Sequence, residues 1–137
     1  MKKSLLLILS LILSVSLLYG CNATATKDAE TLRSRTNAYG KLIRWKAYDD
    51  ASRYIQRRDG GSVEINTELL NEVRVTGYEV VGMVMNESSD EATVMAEISY
   101  YHERVNSVHD IRDQQIWYKD KDTGVWYLDG QLPPFVR

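Results

Sequence analysis

Residues 73–85, Val-Arg-Val-Thr-Gly-Tyr-Glu-Val-Val-Gly-Met-Val-Met, and residues 92–104, Ala-Thr-Val-Met-Ala-Glu-Ile-Ser-Tyr-Tyr-His-Glu-Arg, decide the fold. Both runs are rich in β-branched and aromatic residues, and only Asn86-Glu-Ser-Ser-Asp-Glu91 separates them. Two such runs around a short polar segment read as an antiparallel hairpin. With the turn centred between Ser88 and Ser89, Val81, Met83 and Met85 face Ala96, Val94 and Ala92. Ile98 and Tyr100 continue that apolar row, which supports the register. The same register puts Glu79 on the core row, across from Ile98, but a β-bulge at Gly77 that turns it outward is the simpler reading, so Glu79 is expected to face solvent or a pocket rim. The other face carries Tyr78, Val80, Val84, Met95 and Tyr101, more apolar than a water-facing sheet surface should be. These five form a candidate interaction face.

Downstream, Val108–Lys119 and Val125–Leu128 repeat the strand pattern, divided by the turn-like Asp120-Lys-Asp-Thr-Gly124. Four strands in series with short loops make an antiparallel meander. Upstream, Asp28 to about Arg57 reads as one long helix, because Leu32, Tyr39, Ile43, Ala47, Ala51 and Tyr54 recur at helical spacing. Gly40 within it suits close packing at a cost of about 1 kcal/mol relative to Ala. Trp45 falls on the opposite side, near Tyr48, where a covering loop is expected. Asp59-Gly60-Gly61 is the expected helix stop, and Thr67 is placed to cap a short helix carrying Leu69 and Leu70. The expected class is α+β, a long N-terminal helix packed in the concave face of a curved four-stranded antiparallel meander.

The first twenty residues have their own logic. Lys2 and Lys3 precede an apolar run of 14 residues from Leu5 to Leu18, interrupted only by Ser10, Ser14 and Ser16. A membrane span needs about 20 apolar residues, so the run reads as a secretory leader. Leu18-Tyr19-Gly20-Cys21 resembles the lipobox of bacterial lipoproteins, Tyr19 being bulkier than the usual residue. The resemblance implies cleavage between Gly20 and Cys21 and a diacylglyceryl group on the Cys21 thiol, two chains being enough for stable anchoring. Cys21 is the single cysteine of the chain. Residues 1–20 are then a signal peptide, 21–27 a lipidated cysteine with a short flexible tether, and 28–137 one domain. Asn22 is not the Asp that tends to retain lipoproteins in the inner membrane of diderm bacteria. The expected address is the cell envelope, at the outer membrane if the source is diderm.

Without Lys2 and Lys3 the mature chain has 15 basic and 19 acidic residues, a formal charge of about −4. Its charges are interspersed, which argues against nucleic-acid binding. His102 and His109, with Glu103, Asp110 and Asp113 nearby, are two solvent-side histidines at a hairpin tip, so neither a metal nor another cofactor is expected. Asp120–Gly124 lacks the later bidentate Glu of a calcium loop. Gly60-Gly61 is too sparse for a phosphate cradle. The mature chain has no Gly-x-Ser-x-Gly, no Ser-x-x-Lys and no free cysteine, and no catalytic residue is assigned. The mature chain has eight tyrosines against the single Phe135, a composition that suits pocket mouths and interfaces.

The helix, the run 73–80, Tyr100-Tyr101, Gln115-Ile-Trp117 and Trp126-Tyr-Leu-Asp-Gly-Gln-Leu-Pro-Pro-Phe135 together resemble a group of small uncharacterised proteobacterial lipoproteins. That group resembles the NTF2-like or cystatin-like superfold, which hosts enzymes and binding modules alike. The expected function is a non-enzymatic envelope module that binds a protein partner or itself. The alternative is a small-molecule pocket, or a ketosteroid-isomerase-like acid–base site, formed by Tyr54, Glu79 and Tyr100 inside the cone.

Overall fold

The computed structural model describes the backbone of residues 2–136 and the side chains from Ala23 to Val136. The leader, the cleavage position at Gly20 and the Cys21 thiol lie outside the described side chains. The chain runs α1 (Lys2–Arg44), α2 (Tyr48–Ser52), α3 (Thr67–Glu72), β1 (Val73–Met85), β2 (Glu91–His102), β3 (Val108–Lys119) and β4 (Trp126–Leu128). The strands form one antiparallel sheet in sequence order, and α1 packs on it against β1 and β4. The architecture is α+β, a helix layer over an open four-stranded sheet.

Two expectations about the helix are corrected. Ala23–Lys27 belongs to α1 rather than to a flexible tether, since no Gly or Pro interrupts the chain between Asn22 and Tyr39. At the other end, the helix stops at Arg44, not near Arg57. Lys46 N–H donates to the Ile43 carbonyl at 3.2 Å and Ala47 N–H to the Leu42 carbonyl at 2.9 Å. This is the 5→2, 6→1 pattern of a Schellman stop, and it needs a left-handed residue. Lys46, with φ of 59°, takes the place where glycine is usual. α2 then brings Tyr48 and Ala51 into the core. Asp59-Gly60-Gly61 forms a later turn, with φ of 74° at Gly60. α3 forms where a short helix was expected, but Asn66 caps it, its side chain accepting from Leu69 N–H.

The sheet register follows the expected one only near the turn. Met85 pairs with Ala92, Val84 with Thr93 and Met83 with Val94. The register then shifts between Val80 and Gly82, and again between Val75 and Gly77. An extra residue in one strand turns every side chain beyond it to the other face. Tyr78 and Val80 therefore join the core, paired with Ile98 and Ala96, while Val81 is left half-exposed and Glu79 faces out opposite Glu97.

The sheet's inner face is filled by Ala92, Val94, Ala96, Ile98 and Tyr100 of β2 and Trp117 of β3. Leu32, Tyr39 and Ile43 of α1 close over them. The edge of β4 is covered by Tyr54–Gln56, whose backbone exchanges hydrogen bonds with Leu128. The C-terminal segment returns to the core through Leu132 and Phe135, the latter edge-on to Tyr100 at 4.9 Å.

Candidate functional site

The interior between α1 and the sheet is aromatic with a polar thread through it. Tyr39 is edge-on to Tyr78 at 6.3 Å and to Trp117 at 5.8 Å. Gln115 Nε2 donates to Tyr78 Oη at 2.8 Å and to Asp113 Oδ2 at 2.7 Å, and Gln115 Oε1 accepts from Trp117 Nε1 at 2.9 Å. Each amide position of Gln115 is thus used, which fixes the orientation of Asp113, Tyr78 and Trp117 together. Burial pushes the Asp113 carboxyl above the usual range, partly offset by Gln115. Burial also raises Tyr78, and raises Tyr39 with help from the nearby Tyr78 and Asp113. The Tyr39 hydroxyl is buried without a hydrogen-bond partner among the described residues. Asp113 and Gln115 also border a cavity of about 230 Å³ between β3 and residues 128–134.

The three residues proposed from sequence for a pocket do not meet. Glu79 is on the solvent face, because the shift at Val81 turned it outward. Tyr54 lies at the β4 side, its ring covered by the Arg35 guanidinium at 4.0 Å. Tyr100 is sealed under Phe135, and its hydroxyl accepts from Val136 N–H at 3.0 Å. The acid–tyrosine pairing that sequence placed at Glu79 arises instead at Asp113 and Tyr78. Alternation along 109–119, with Trp117 on the core row, carried the signal that Asp113 and Gln115 point inward.

The histidines are likewise repositioned. His102 is fully buried, not solvent-side, because it continues the inward row of β2. Its Nε2 lies 2.8 Å from the Val136 carbonyl, so Nε2 carries the proton and donates. Its Nδ1 stands 3.8 Å from Glu72 Oε2, and Glu72 also pairs with Arg104 at 3.2 Å. His109 stacks on Tyr100 and bonds Ser107 Oγ at 2.9 Å. The group ties the end of β2 to α3 and to the C-terminal segment. Among the described residues, no three His, Cys, Asp or Glu side chains are placed to share a metal ion.

The outer sheet face divides in two. Its centre is charged: Glu97 is bonded by Arg112 at 2.9 Å, and Ser99 donates to Asp110. Of the five residues expected on an apolar face, Tyr78 and Val80 have turned inward and Met95 and Tyr101 are partly covered. Val84 remains open, 71% exposed, and Val81, 48% exposed, joins it. Beside them a groove of about 380 Å³ lies between α1 and the free edge of β1, lined by Arg33, Asn37, Val80, Val81, Gly82 and Met83. β1 has a strand partner on one side only, so its other edge presents unpaired backbone groups.

No protein-family model matches the chain, and no curated protein is similar to it. Among the described residues, no helix is long and apolar enough to cross a membrane.

Proposed function

We propose that this protein is a lipid-anchored module of the bacterial cell envelope that acts by binding an extended segment of a partner protein along β1. The observation that carries the reading is the groove beside the Val80–Gly82 register shift. It combines an unpaired strand edge, which can hydrogen-bond another chain, with the exposed side chain of Val81, and the exposed Val84 lies just beyond it on the outer face. Main-chain bonds would supply affinity and the two valines selectivity, as in other strand-addition sites. Within this reading Cys21 carries the lipid, the helix-over-sheet layout is a variant of the NTF2-like or cystatin-like superfold, and the address is the outer membrane if the source is diderm.

The test is photo-crosslinking of the lipidated protein in its own envelope, with the reactive side chain at Val81, Val84 or Gln114. Crosslinks to one envelope protein from Val81 and Val84 but not from Gln114 are expected. Equal labelling from all three positions, or none, rejects the groove.

A second reading, a small-molecule site, is favoured by Asp113, whose half-buried carboxyl borders the cavity at the β3 edge. It predicts saturable binding of a small ligand that Asp113→Leu removes.

A further inference from the structure

The mature chain is acidic, yet the solvent side of α1 is not. The buried side of that helix holds Leu32, Thr36, Tyr39, Gly40 and Ile43, with Asp28 tucked against Lys119 at 2.6 Å. Facing solvent are Lys27, Glu30, Arg33, Ser34, Asn37, Lys41 and Arg44, four cations against one acid. Arg33 borders the β1 groove, whereas Lys27, Lys41 and Arg44 lie clear of every cavity described above. Trp45 follows them. Its N–H still donates to the Lys41 carbonyl at 3.0 Å, so the helical turn persists through it. Eighteen residues, about five turns, put Trp45 in line with Lys27. The indole is 82% exposed, while Trp117 and Trp126 are buried. An indole, apolar over its face and polar at its N–H, suits the boundary between water and an apolar layer.

We infer that the exposed face of α1 is a membrane-contact surface that lies along an anionic phospholipid bilayer, with Lys27, Lys41 and Arg44 on the headgroups and Trp45 in the interfacial layer. Tryptophan is enriched at that depth because its ring is apolar and its N–H is polar. Lysine and arginine near an anionic leaflet are attracted within a Debye length. The strip runs about 33 Å from Ala23 to Trp45 at 1.5 Å per residue, and it begins beside Cys21. One end is therefore held by lipid and the other by an indole, so the helix lies in the membrane plane and the sheet faces away from the surface. The chain as a whole is acidic, so attraction to an anionic bilayer rests on this local surplus of cations. The choice of a bilayer as occupant rests on the lipid-anchor reading; the charge pattern and the exposed indole do not.

The experiment uses the mature chain, residues 21–137, carrying Cys21→Ser, so that no lipid contributes; its described hydrophobic core begins at Leu32. Binding to phosphatidylglycerol vesicles is compared with phosphatidylcholine vesicles by co-sedimentation, and Trp45 emission is followed against acrylamide quenching. We expect at least tenfold tighter binding to the anionic vesicles, weakened by 0.5 M salt, with a blue shift that Trp45→Ala abolishes. Lys41→Glu with Arg44→Glu should lower vesicle binding at least tenfold, whereas reversal of the exposed Arg53 and Arg104 should change it less than twofold. Circular dichroism and thermal melting show whether each variant is folded. Absence of binding to anionic vesicles, equal loss in both reversal pairs, or equal retention on a soluble polyanion without Trp45 protection overturns the inference. The lipidation itself is read separately from the N-terminal mass, so the two ideas fail independently.

Discussion

Gly40 of α1 lies flat against the ring of Tyr78 of β1: a Cβ at position 40 would fall 2.5 Å from both Cδ1 and Cε1. The contact exists because the register shift at Val81 turned Tyr78 inward, toward a helix position with no side chain. Helix propensity alone favours Gly40→Ala by about 1 kcal/mol. Overpacking against a ring fixed by Gln115 costs more, typically about 1–3 kcal/mol. Gly40→Ala should therefore lower unfolding free energy, and Gly40→Ala combined with Tyr78→Val should lose less than the sum of the two changes. Urea denaturation of the four proteins in that cycle checks the coupling.

The shift itself makes a prediction about neighbours in sequence. Val80→Asp puts a charge at a half-buried position packed against the core and should cost about 1–3 kcal/mol. Val81→Asp, at a half-exposed position, should stay within about 0.5 kcal/mol of wild type. An uninterrupted strand would reverse that order.

Asp113 links stability to pH. Its carboxyl is raised by burial, so the folded state holds the proton more tightly than the unfolded chain. The associated stabilisation is complete below the ordinary aspartate range and is lost as pH rises through the folded value. Asp113→Asn can still accept from Gln115 and carries no charge. It should raise the melting temperature relative to wild type at pH 7, and the difference should vanish near pH 3.5. A gain that persists at low pH would show that desolvation of the carboxylate is not the cause.

Lys46 sits at the left-handed position of the α1 stop, with φ of 59°. A non-glycine residue there costs about 1–2 kcal/mol. Lys46→Gly relieves this but gives up the bond from Lys46 Nζ to the Asn71 carbonyl at 2.7 Å, a contribution of about 1 kcal/mol. The expected net is a gain of about 0.5 kcal/mol in denaturant unfolding, and Lys46→Met, which loses the bond and keeps the strain, should be less stable than either.

Cys21 bears on address rather than folding, since the first buried residue described is Asp28 and the hydrophobic core begins at Leu32. Cys21→Ser should block lipidation and the cleavage that depends on it, leaving the leader attached. Globomycin should cause the precursor to accumulate. Mass spectrometry of the N-terminus reads both, and an unlipidated Cys21 in mature wild-type protein would reject the anchor.

The strands were legible because their cause is local. β-branched and aromatic runs bounded by polar turns predict β1 and β3 to the residue, and the pairing of Met83 and Met85 follows from the turn between them. The inward row of Leu32, Tyr39 and Ile43 follows from helical periodicity in the same way. What escaped was decided by contacts distant in sequence. Nothing local marks Val81 as the extra residue, since Val80, Val81 and Val84 are equally good strand formers. The shift is settled by where the Tyr78 ring fits, which is against Gly40 and Gln115. That one-residue slip turned Tyr78 and Val80 inward and divided the expected apolar face. The helix stop at Lys46 was hidden for a similar reason: a lysine replaces the expected glycine, and the turn holds because Tyr48 and Ala51 must reach the core. Composition and periodicity determined the layers of this protein and which residues are apolar enough to be buried. Only the packing of helix on sheet decided which side chains share the interior and which face solvent, because side-chain direction in a strand reverses with every residue and is fixed by the partner it meets.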